Sequence, residues 1–166
     1  MTAQVLDRVL EAYRVGDPDR RFPIFDATGS TIAPGRWNTE TTPVIYASQH
    51  YSTAVLEMLA HFNGLMPKNQ HFVRITIPNG VTYERFNTHA NPGWDRPASV
   101  VARTYGADWI RRARSLILIV PTAVAPIENN ILINPAHPDF PKIVTSLHEP
   151  IYWDARLLGA KRSRRE

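Results

Sequence analysis

The sequence predicts an α+β fold: a single domain in which helices flank a mixed or split β-sheet. Strand and helix patterns follow one another in the order βαββαβββ, which lacks the regular alternation of a doubly wound sheet. Of the 166 residues, 43% are hydrophobic and 20% charged, as in ordinary globular domains. No repeat or low-complexity linker divides the chain. We therefore expect one domain over residues 1–160 and a basic, disordered tail over residues 161–166.

The N-terminal quarter predicts a helix, a strand and a long loop. Thr2 is a suitable N-cap, and the apolar residues within positions 5–10 have the spacing of a short amphipathic helix. A strand over residues 12–15 would follow. Residues 16–42 contain several proline and glycine turn signals, so we expect a long loop there, and long loops in compact domains are often functional.

The middle of the chain predicts a strand, a helix and a hairpin. Residues 43–47 read as a buried strand, and Ser48 is a suitable N-cap for a helix that runs through Phe62 and stops at Gly64. Residues 71–86 alternate apolar and polar side chains on both sides of an Asn-Gly pair, which is typical of a β-hairpin.

The C-terminal half predicts a second helix and three strands. Residues 98–112 form the helical pattern, with an interruption or kink expected at Gly106. Residues 115–120 are a central strand because their apolar run is nearly unbroken. Shorter strands are expected over residues 131–133 and 151–153.

Charge and composition exclude several classes of function. The net charge is +4, but residues 161–166 contribute +3 of it, which leaves +1 for residues 1–160, so the body is unlike a domain that tracks phosphates along nucleic acid. The absence of cysteine excludes disulfides and thiolate metal sites and suits a reducing cytoplasm. The N-terminus has no signal-peptide pattern, and the longest apolar run, residues 116–120, is too short to cross a membrane.

Common catalytic motifs are also missing. The glycines form neither a dinucleotide-binding fingerprint nor a phosphate-binding loop, and no serine lies in a nucleophile elbow. The six histidines are not spaced as zinc ligands, so we expect no metal.

Four residues remain as candidates for chemistry. Arg36, between Gly35 and Trp37, has the planar fork that suits a pyrophosphate, although a loop arginine can also pair with an acid or stack on the tryptophan. The others are Glu57, which lies off the apolar stripe of its helix, Tyr46 and Ser115. Their ordinary interpretations are a solvated carboxylate, a core tyrosine and a hydroxyl that caps a strand end.

Short motifs run in a fixed order through most of the chain. They are Tyr13-Arg14, Gly35-Arg36-Trp37-Asn38, Ala54-Val55-Leu56-Glu57, Arg114-Ser115 and Asn134-Pro135-Ala136-His137-Pro138. In these motifs the chain resembles the RES domain family, named for an arginine, a glutamate and a serine. The resemblance implies that the triad is Arg36, Glu57 and Ser115. It also implies a fold similar to that of ADP-ribosyltransferases.

The resemblance further implies a toxin of a bacterial toxin–antitoxin pair that consumes NAD+ without a metal. It makes Arg36, Tyr46, Glu57 and Ser115 catalytic, and the expected NAD-binding residues are Tyr13, Arg14, Trp37, Asn38 and Asn130. The acceptor is open: water, phosphate or a protein side chain. The implied partner is an Xre-like helical antitoxin with a DNA-binding domain, which would form a hetero-oligomer with this chain and make any DNA contact itself.

Two other classes of function stay open at this point. The basic tail over residues 161–166 would serve a non-enzymatic nucleic-acid-binding module. Glu57 and Asp26 would serve as a carboxylate pair in a metal-free hydrolase of another sugar-linked substrate.

Overall fold

The structure is a computed structural model, and it describes residues 3–62, 65 and 67–158. The predicted N-cap at Thr2, the predicted helix stop at Gly64 and the predicted tail over residues 161–166 lie outside these residues.

The described residues form a mixed sheet of nine strands with helices packed on it, which confirms the predicted α+β class. The strand order is β1-β5-β6-β7-β3-β2-β4-β8, and β9 also pairs with β4; β5 and β6 are parallel and the other pairs antiparallel. The strands are β1 (Gln4–Val5), β2 (Leu10–Gly16), β3 (Ile45–Ser48), β4 (His71–Ile77), β5 (Thr82–Arg85), β6 (Ile117–Pro121), β7 (Asn129–Ile133), β8 (Val144–Thr145) and β9 (Glu149–Pro150). The helices are α1 (Thr28–Ile32), α2 (Tyr51–His61) and α3 (Val100–Arg112), with 3-10 turns at Phe140–Lys142 and Ala155–Leu158.

The two faces of the sheet bury separate apolar clusters, because successive side chains of a strand point to opposite faces. Ile117, Ile131 and their neighbours belong to one cluster. Leu118 and Leu132 belong to the other, which includes Trp37 and the buried side of α3. We call this second side of the sheet the helical face.

The sheet splits between β2 and β3. These strands pair only at Tyr13 and Ser48, whereas β2 pairs with β4 along all of Leu10–Gly16. Beyond that single pair the two strands separate, and the guanidinium of Arg14 reaches across to donate to the carbonyl oxygen of Tyr46 at 2.7 Å. The split therefore opens the sheet next to residues that the sequence marks as candidates.

Several local predictions are wrong. The N-terminal segment is not a helix, because its backbone pairs in the sheet: Leu6 donates to Val81 and accepts from Gly80, and β1 pairs with β5. The predicted hairpin over residues 71–86 is wrong too, because its two strands, β4 and β5, do not pair with each other. Strand β5 lies between β1 and β6, and β4 pairs with β2. Residues 151–153 carry no strand; the pairing lies just before them, in β9.

Helix α3 is continuous through Gly106, so the predicted interruption at this glycine is wrong as well. A Cβ at this position would lie 1.9 Å from the carbonyl oxygen of Trp37. The glycine is there because the loop that carries Trp37 packs directly on the helix backbone.

Candidate active site

The carboxylate of Glu57 is the centre of a hydrogen-bonded cluster on the helical face. Its Oε1 accepts from Thr122 Oγ1 at 2.6 Å and from Asn130 Nδ2 at 2.7 Å. Asn130 Oδ1 in turn accepts from Ser48 Oγ at 2.8 Å, which fixes the orientation of the amide. Among the described residues, Oε2 accepts no hydrogen bond. We call Glu57, Thr122, Asn130 and Ser48 the carboxylate cluster.

Strand pairing brings the members of this cluster together. Asn130 lies in β7 opposite Ser48 of β3 on one side and Val120 of β6 on the other. Thr122 follows β6 directly, and α2 begins three residues after Ser48 and carries Glu57 above them. Three strand ends and one helix therefore converge on a single carboxylate.

Tyr46 is held by a second set of hydrogen bonds. Its hydroxyl donates to Asn38 Oδ1 at 2.9 Å and accepts from the backbone N–H of Trp37 at 3.0 Å. Asn38 Oδ1 also accepts from the N–H of Gly35 at 2.8 Å. A Cβ on Gly35 would lie 2.6 Å from the Tyr46 hydroxyl, so only glycine allows this approach.

The two sets of hydrogen bonds lie on the same face. Tyr46 and Ser48 are two residues apart in β3, and residues i and i+2 of a strand share a face. Tyr13 pairs with Ser48 and shares that face too; its ring packs edge-on against Tyr51 of α2, with centroids 6.1 Å apart. The structure thus gathers Tyr13, Tyr46, Glu57 and Asn130 beside the split in the sheet.

Arg14 spans the split, and each nitrogen of its guanidinium donates one hydrogen bond to a backbone carbonyl. Besides the Tyr46 carbonyl, it donates to the carbonyls of Ile24 and Asp26. Burial lowers the pKa of Arg14 to about 10, partly offset by Asp26, so the guanidinium keeps its charge at neutral pH. Arg14 therefore contributes positive charge to the site, and three of its five N–H groups are committed to backbone carbonyls.

Arg36 is held by backbone carbonyls and makes no hydrogen bond to the carboxylate cluster. Its Nη1 donates to the carbonyls of Trp94 and Arg96, at 3.0 and 2.7 Å. This arrangement fits neither a surface ion pair nor a stack on Trp37, whose ring packs against Phe86 and Trp94 in the core. Within the described residues, Nε and Nη2 of Arg36 make no hydrogen bond.

The structure does not bring Ser115 to Glu57. Ser115 is fully buried; its hydroxyl accepts from Trp109 Nε1 and donates to the carbonyl of Ile117, both at 2.8 Å. Ser115 lies before β6 and Thr122 after it, so the five strand residues between them keep the two hydroxyls roughly 15 Å or more apart. Ser115 thus joins α3 to the start of β6 and is left out of the site.

Thr122 is the residue that sequence reasoning missed. It comes directly after Val120-Pro121, and a hydroxyl at that position was the available signal. The strand pairing that places it over Glu57 cannot be read from the sequence, because it depends on the register between β6 and β7.

Burial raises the pKa of Tyr46 well above its ordinary value, so its hydroxyl stays protonated and remains a donor. The hydrogen bond from Trp37 and the positive charges of Arg14, Arg36 and Arg103 act in the opposite direction. Three guanidinium groups therefore lie close enough to influence one hydroxyl, and the surroundings of Tyr46 suit an anionic ligand.

The fold and site define an α+β domain with a carboxylate beside a split sheet. The RES domain model matches residues 11–154, and the chain belongs to the RES domain family. It is 33% identical over 153 residues to a "Prs ADP-ribosylating toxin" of Sphingobium sp., covering 88% of this chain and 95% of that one. It is 30% identical over 142 residues to a "Toxin Res" of Photorhabdus laumondii, covering 83% and 90% of the two chains.

Among solved structures, the fold is similar to that of a chain in the M. tuberculosis MbcT–MbcA toxin–antitoxin complex. The TM-score is 0.64 at 12% sequence identity, and the match covers 89% of this chain and 86% of that chain. Separately, none of the helices in the described part of the chain is long and apolar enough to span a membrane.

Proposed function

We propose that this chain is the toxin of a bacterial toxin–antitoxin pair and that it cleaves the bond between nicotinamide and ribose in NAD+. The relatives' names and the toxin–antitoxin title of the structural neighbour support the toxin role. The observation that carries the chemistry is the Glu57 carboxylate on the face that carries Tyr46: Oε1 is held by two donors, and Oε2 accepts no hydrogen bond from the residues that the structure describes.

Cleavage breaks the C–N bond at the ribose, and the bonding electrons leave with nicotinamide, which departs neutral. Positive charge then develops on the ribose as in glycoside hydrolysis. A carboxylate fixed in advance stabilises that charge without reorganising during the reaction. Thr122 and Asn130 supply this fixation through Oε1, which leaves Oε2 of Glu57 to stabilise the ribose.

The remaining residues bind the substrate or hold the site in shape. Nε and Nη2 of Arg36, which make no hydrogen bond to the described residues, would bind the diphosphate, and Arg14 adds charge. Tyr46 and Tyr13 pack against the nicotinamide and its ribose. Asn38 is fully buried with its amide engaged by the backbone and by Tyr46, so its role, like that of Trp37, is to position the loop.

A second candidate is transfer of ADP-ribose to a protein side chain, with the same C–N cleavage and a different acceptor. The printed name of the Sphingobium relative favours it. Under either candidate the chain acts in the cytoplasm, where NAD+ is available, and an Xre-like antitoxin with its own DNA-binding domain neutralises it.

The test is to incubate the purified chain with NAD+ alone, with phosphate, and with a cytosolic extract, and to identify products by mass. ADP-ribose, a phosphorylated ADP-ribose or a modified protein would each identify the acceptor. Release of nicotinamide in at least one of these incubations is expected. No release in any of them would contradict the proposal.

A further inference from the structure

A hollow of about 460 Å³ lies between the loop after α1 and the side of α3. It is next to the Tyr46 hydrogen bonds, because Asn38 forms part of its wall. Its lining residues are Pro34, Asn38, Thr39, Glu40, Thr41 and Arg103.

Arg103 is the unusual member of this lining. Its Nε is buried and has no hydrogen-bond partner, and it is the sole buried side-chain nitrogen or oxygen in this condition within the described ranges. A buried donor without an acceptor costs free energy, so native structures rarely keep one without a reason. The buried Nε itself is closed to solvent, so a ligand oxygen in the hollow would bind the terminal amino groups of the same guanidinium, which forms no ion pair with a described carboxylate.

Arg103 is the main candidate to bind a ligand in the hollow, because other polar side chains of the lining already hydrogen-bond to the protein. Both amide hydrogens of Asn38 are donated to the carbonyls of Ser30 and Thr39, and its oxygen accepts from Gly35 and Tyr46. The amide is therefore saturated, and the hydroxyl of Thr41 shares a hydrogen bond with the hydroxyl of Thr39 at 3.2 Å.

The charge around the hollow favours an anion. Arg14, Arg36 and Arg103 form no ion pair with any carboxylate of residues 3–62, 65 and 67–158. Glu40 is the carboxylate in the lining, and it is exposed, so water screens it. In the lining itself the guanidinium of Arg103 stands against this one screened carboxylate. Arg14 and Arg36 add positive charge at the neighbouring Tyr46 hydroxyl, and Asp26 partly offsets Arg14.

We propose that this hollow is a phosphate-binding subsite and that Arg103 is its principal ligand. A guanidinium fork matches the geometry of phosphate oxygens. The phosphate has two possible sources: the diphosphate of the dinucleotide, or inorganic phosphate that accepts the ribosyl group. This choice of source rests on the proposed function, whereas the subsite itself does not.

The experiment is isothermal titration calorimetry in buffer free of phosphate and sulfate, with inorganic phosphate and ADP-ribose as separate probes. Arg103→Gln should weaken the binding of at least one probe roughly ten- to hundredfold, as expected for a lost charged hydrogen bond. Arg111→Gln is the matched control, because Arg111 is exposed on the same helix, and its affinities should stay within about twofold of wild type.

Glu40→Gln tests the sign of the ligand's charge. Removing this carboxylate should strengthen the binding of the same probe by a few-fold, because it removes repulsion. This second variant keeps the proposal testable if Arg103→Gln does not fold, which its thermal midpoint would show.

The outcomes separate the two phosphate sources. An effect of Arg103→Gln on inorganic phosphate alone identifies an acceptor subsite, and an effect on ADP-ribose identifies a diphosphate subsite. Three results would each overturn the proposal. The wild-type chain binds neither probe, the folded Arg103→Gln variant binds both probes as tightly as wild type, or the Glu40→Gln variant binds the probe more weakly. Since no NAD+ turnover is measured, failure here and failure of the proposed function are distinguishable.

Discussion

The two ends of β6 carry the same chemical group in opposite settings. Ser115, before the strand, is enclosed between Trp109 and the backbone of Ile117, and its hydroxyl holds the core together. Thr122, after the strand, donates its hydroxyl to the carboxylate of Glu57 at 2.6 Å.

The difference teaches that a hydroxyl acquires its role from the group that it faces. At the first end both partners are neutral groups in the interior, and the bonds contribute to stability alone. At the second end the partner is a carboxylate with an open oxygen, so the bond also orients a group that can act on a substrate. Variants of Ser115 should therefore change the free energy of unfolding, and variants of Thr122 should change the rate of nicotinamide release.

The largest effect is expected at Glu57 itself. Glu57→Gln keeps the side-chain shape and removes the negative charge, so NAD+ cleavage should fall roughly 10²- to 10³-fold, as for other lost electrostatic stabilisers. The measurement is nicotinamide release by purified protein. Glu149→Gln, on the exposed edge strand β9, is the control and should retain full activity. Near-normal release by Glu57→Gln would remove this carboxylate from the mechanism.

The next effect is expected at Thr122. Thr122→Val preserves the shape and removes the hydrogen bond to Glu57, so cleavage should fall roughly tenfold, whereas Thr122→Ser should keep most activity. The hydroxyl also accepts from the N–H of Val124 at 3.2 Å, so unfolding by denaturant is measured in parallel. Equal activity in the valine and serine variants would show that the hydroxyl has no role in cleavage.

At the other end, the effect should appear in stability alone. Ser115→Ala leaves the buried indole N–H of Trp109 without its acceptor, which costs about 1–3 kcal/mol of unfolding free energy. Cleavage per folded molecule should be unchanged. Urea denaturation and nicotinamide release measure the two quantities. A loss of turnover at unchanged stability would instead return Ser115 to the site.

The smallest effect is a pH dependence of the unfolding free energy near the start of β6. There His137 Nε2 lies 3.4 Å from the hydroxyl of Thr82, which accepts from the N–H of Leu116. Burial lowers the pKa of His137, partly opposed by Asp139, and the unprotonated Nδ1 of His137 accepts from the N–H of Asp139 at 3.1 Å. The unfolded chain therefore takes up this proton first, near pH 6.5, and stability is present above that pH and declines as the pH falls further.

Replacing His137 by glutamine should flatten this part of the stability profile between pH 7 and 5, and the same change at exposed His89 should not. Denaturant unfolding at several pH values measures it. Identical slopes in wild type and His137→Gln would contradict the assignment.

The sequence predicts the elements that depend on local pattern. The helix that carries Glu57 begins within a few residues of its predicted start, and the strand at 131–133 lies within β7. Long-range pairing is what the sequence does not predict: the segment before β2 pairs with β5, and this pairing replaces the predicted helix and hairpin. Strand pairing depends on contacts distant in the chain, which local propensity does not encode.

The same distinction applies to the site. Glu57 and Asn130 were predicted from motifs, and the structure places them in contact. Thr122 was missed because it lies outside the motifs, and the strand register that brings it to Glu57 cannot be read from the sequence. Ser115 was selected by its position in a motif, although Trp109 satisfies its hydroxyl in the core.

A double-mutant cycle on nicotinamide release is the most direct test of whether the hydroxyl after β6 acts through Glu57. If it does, Thr122→Val should cause almost no further loss in a Glu57→Gln background, because the carboxylate that it orients is gone. If the same roughly tenfold loss appears in both backgrounds, Thr122 acts independently of Glu57, and the carboxylate cluster is not a catalytic unit.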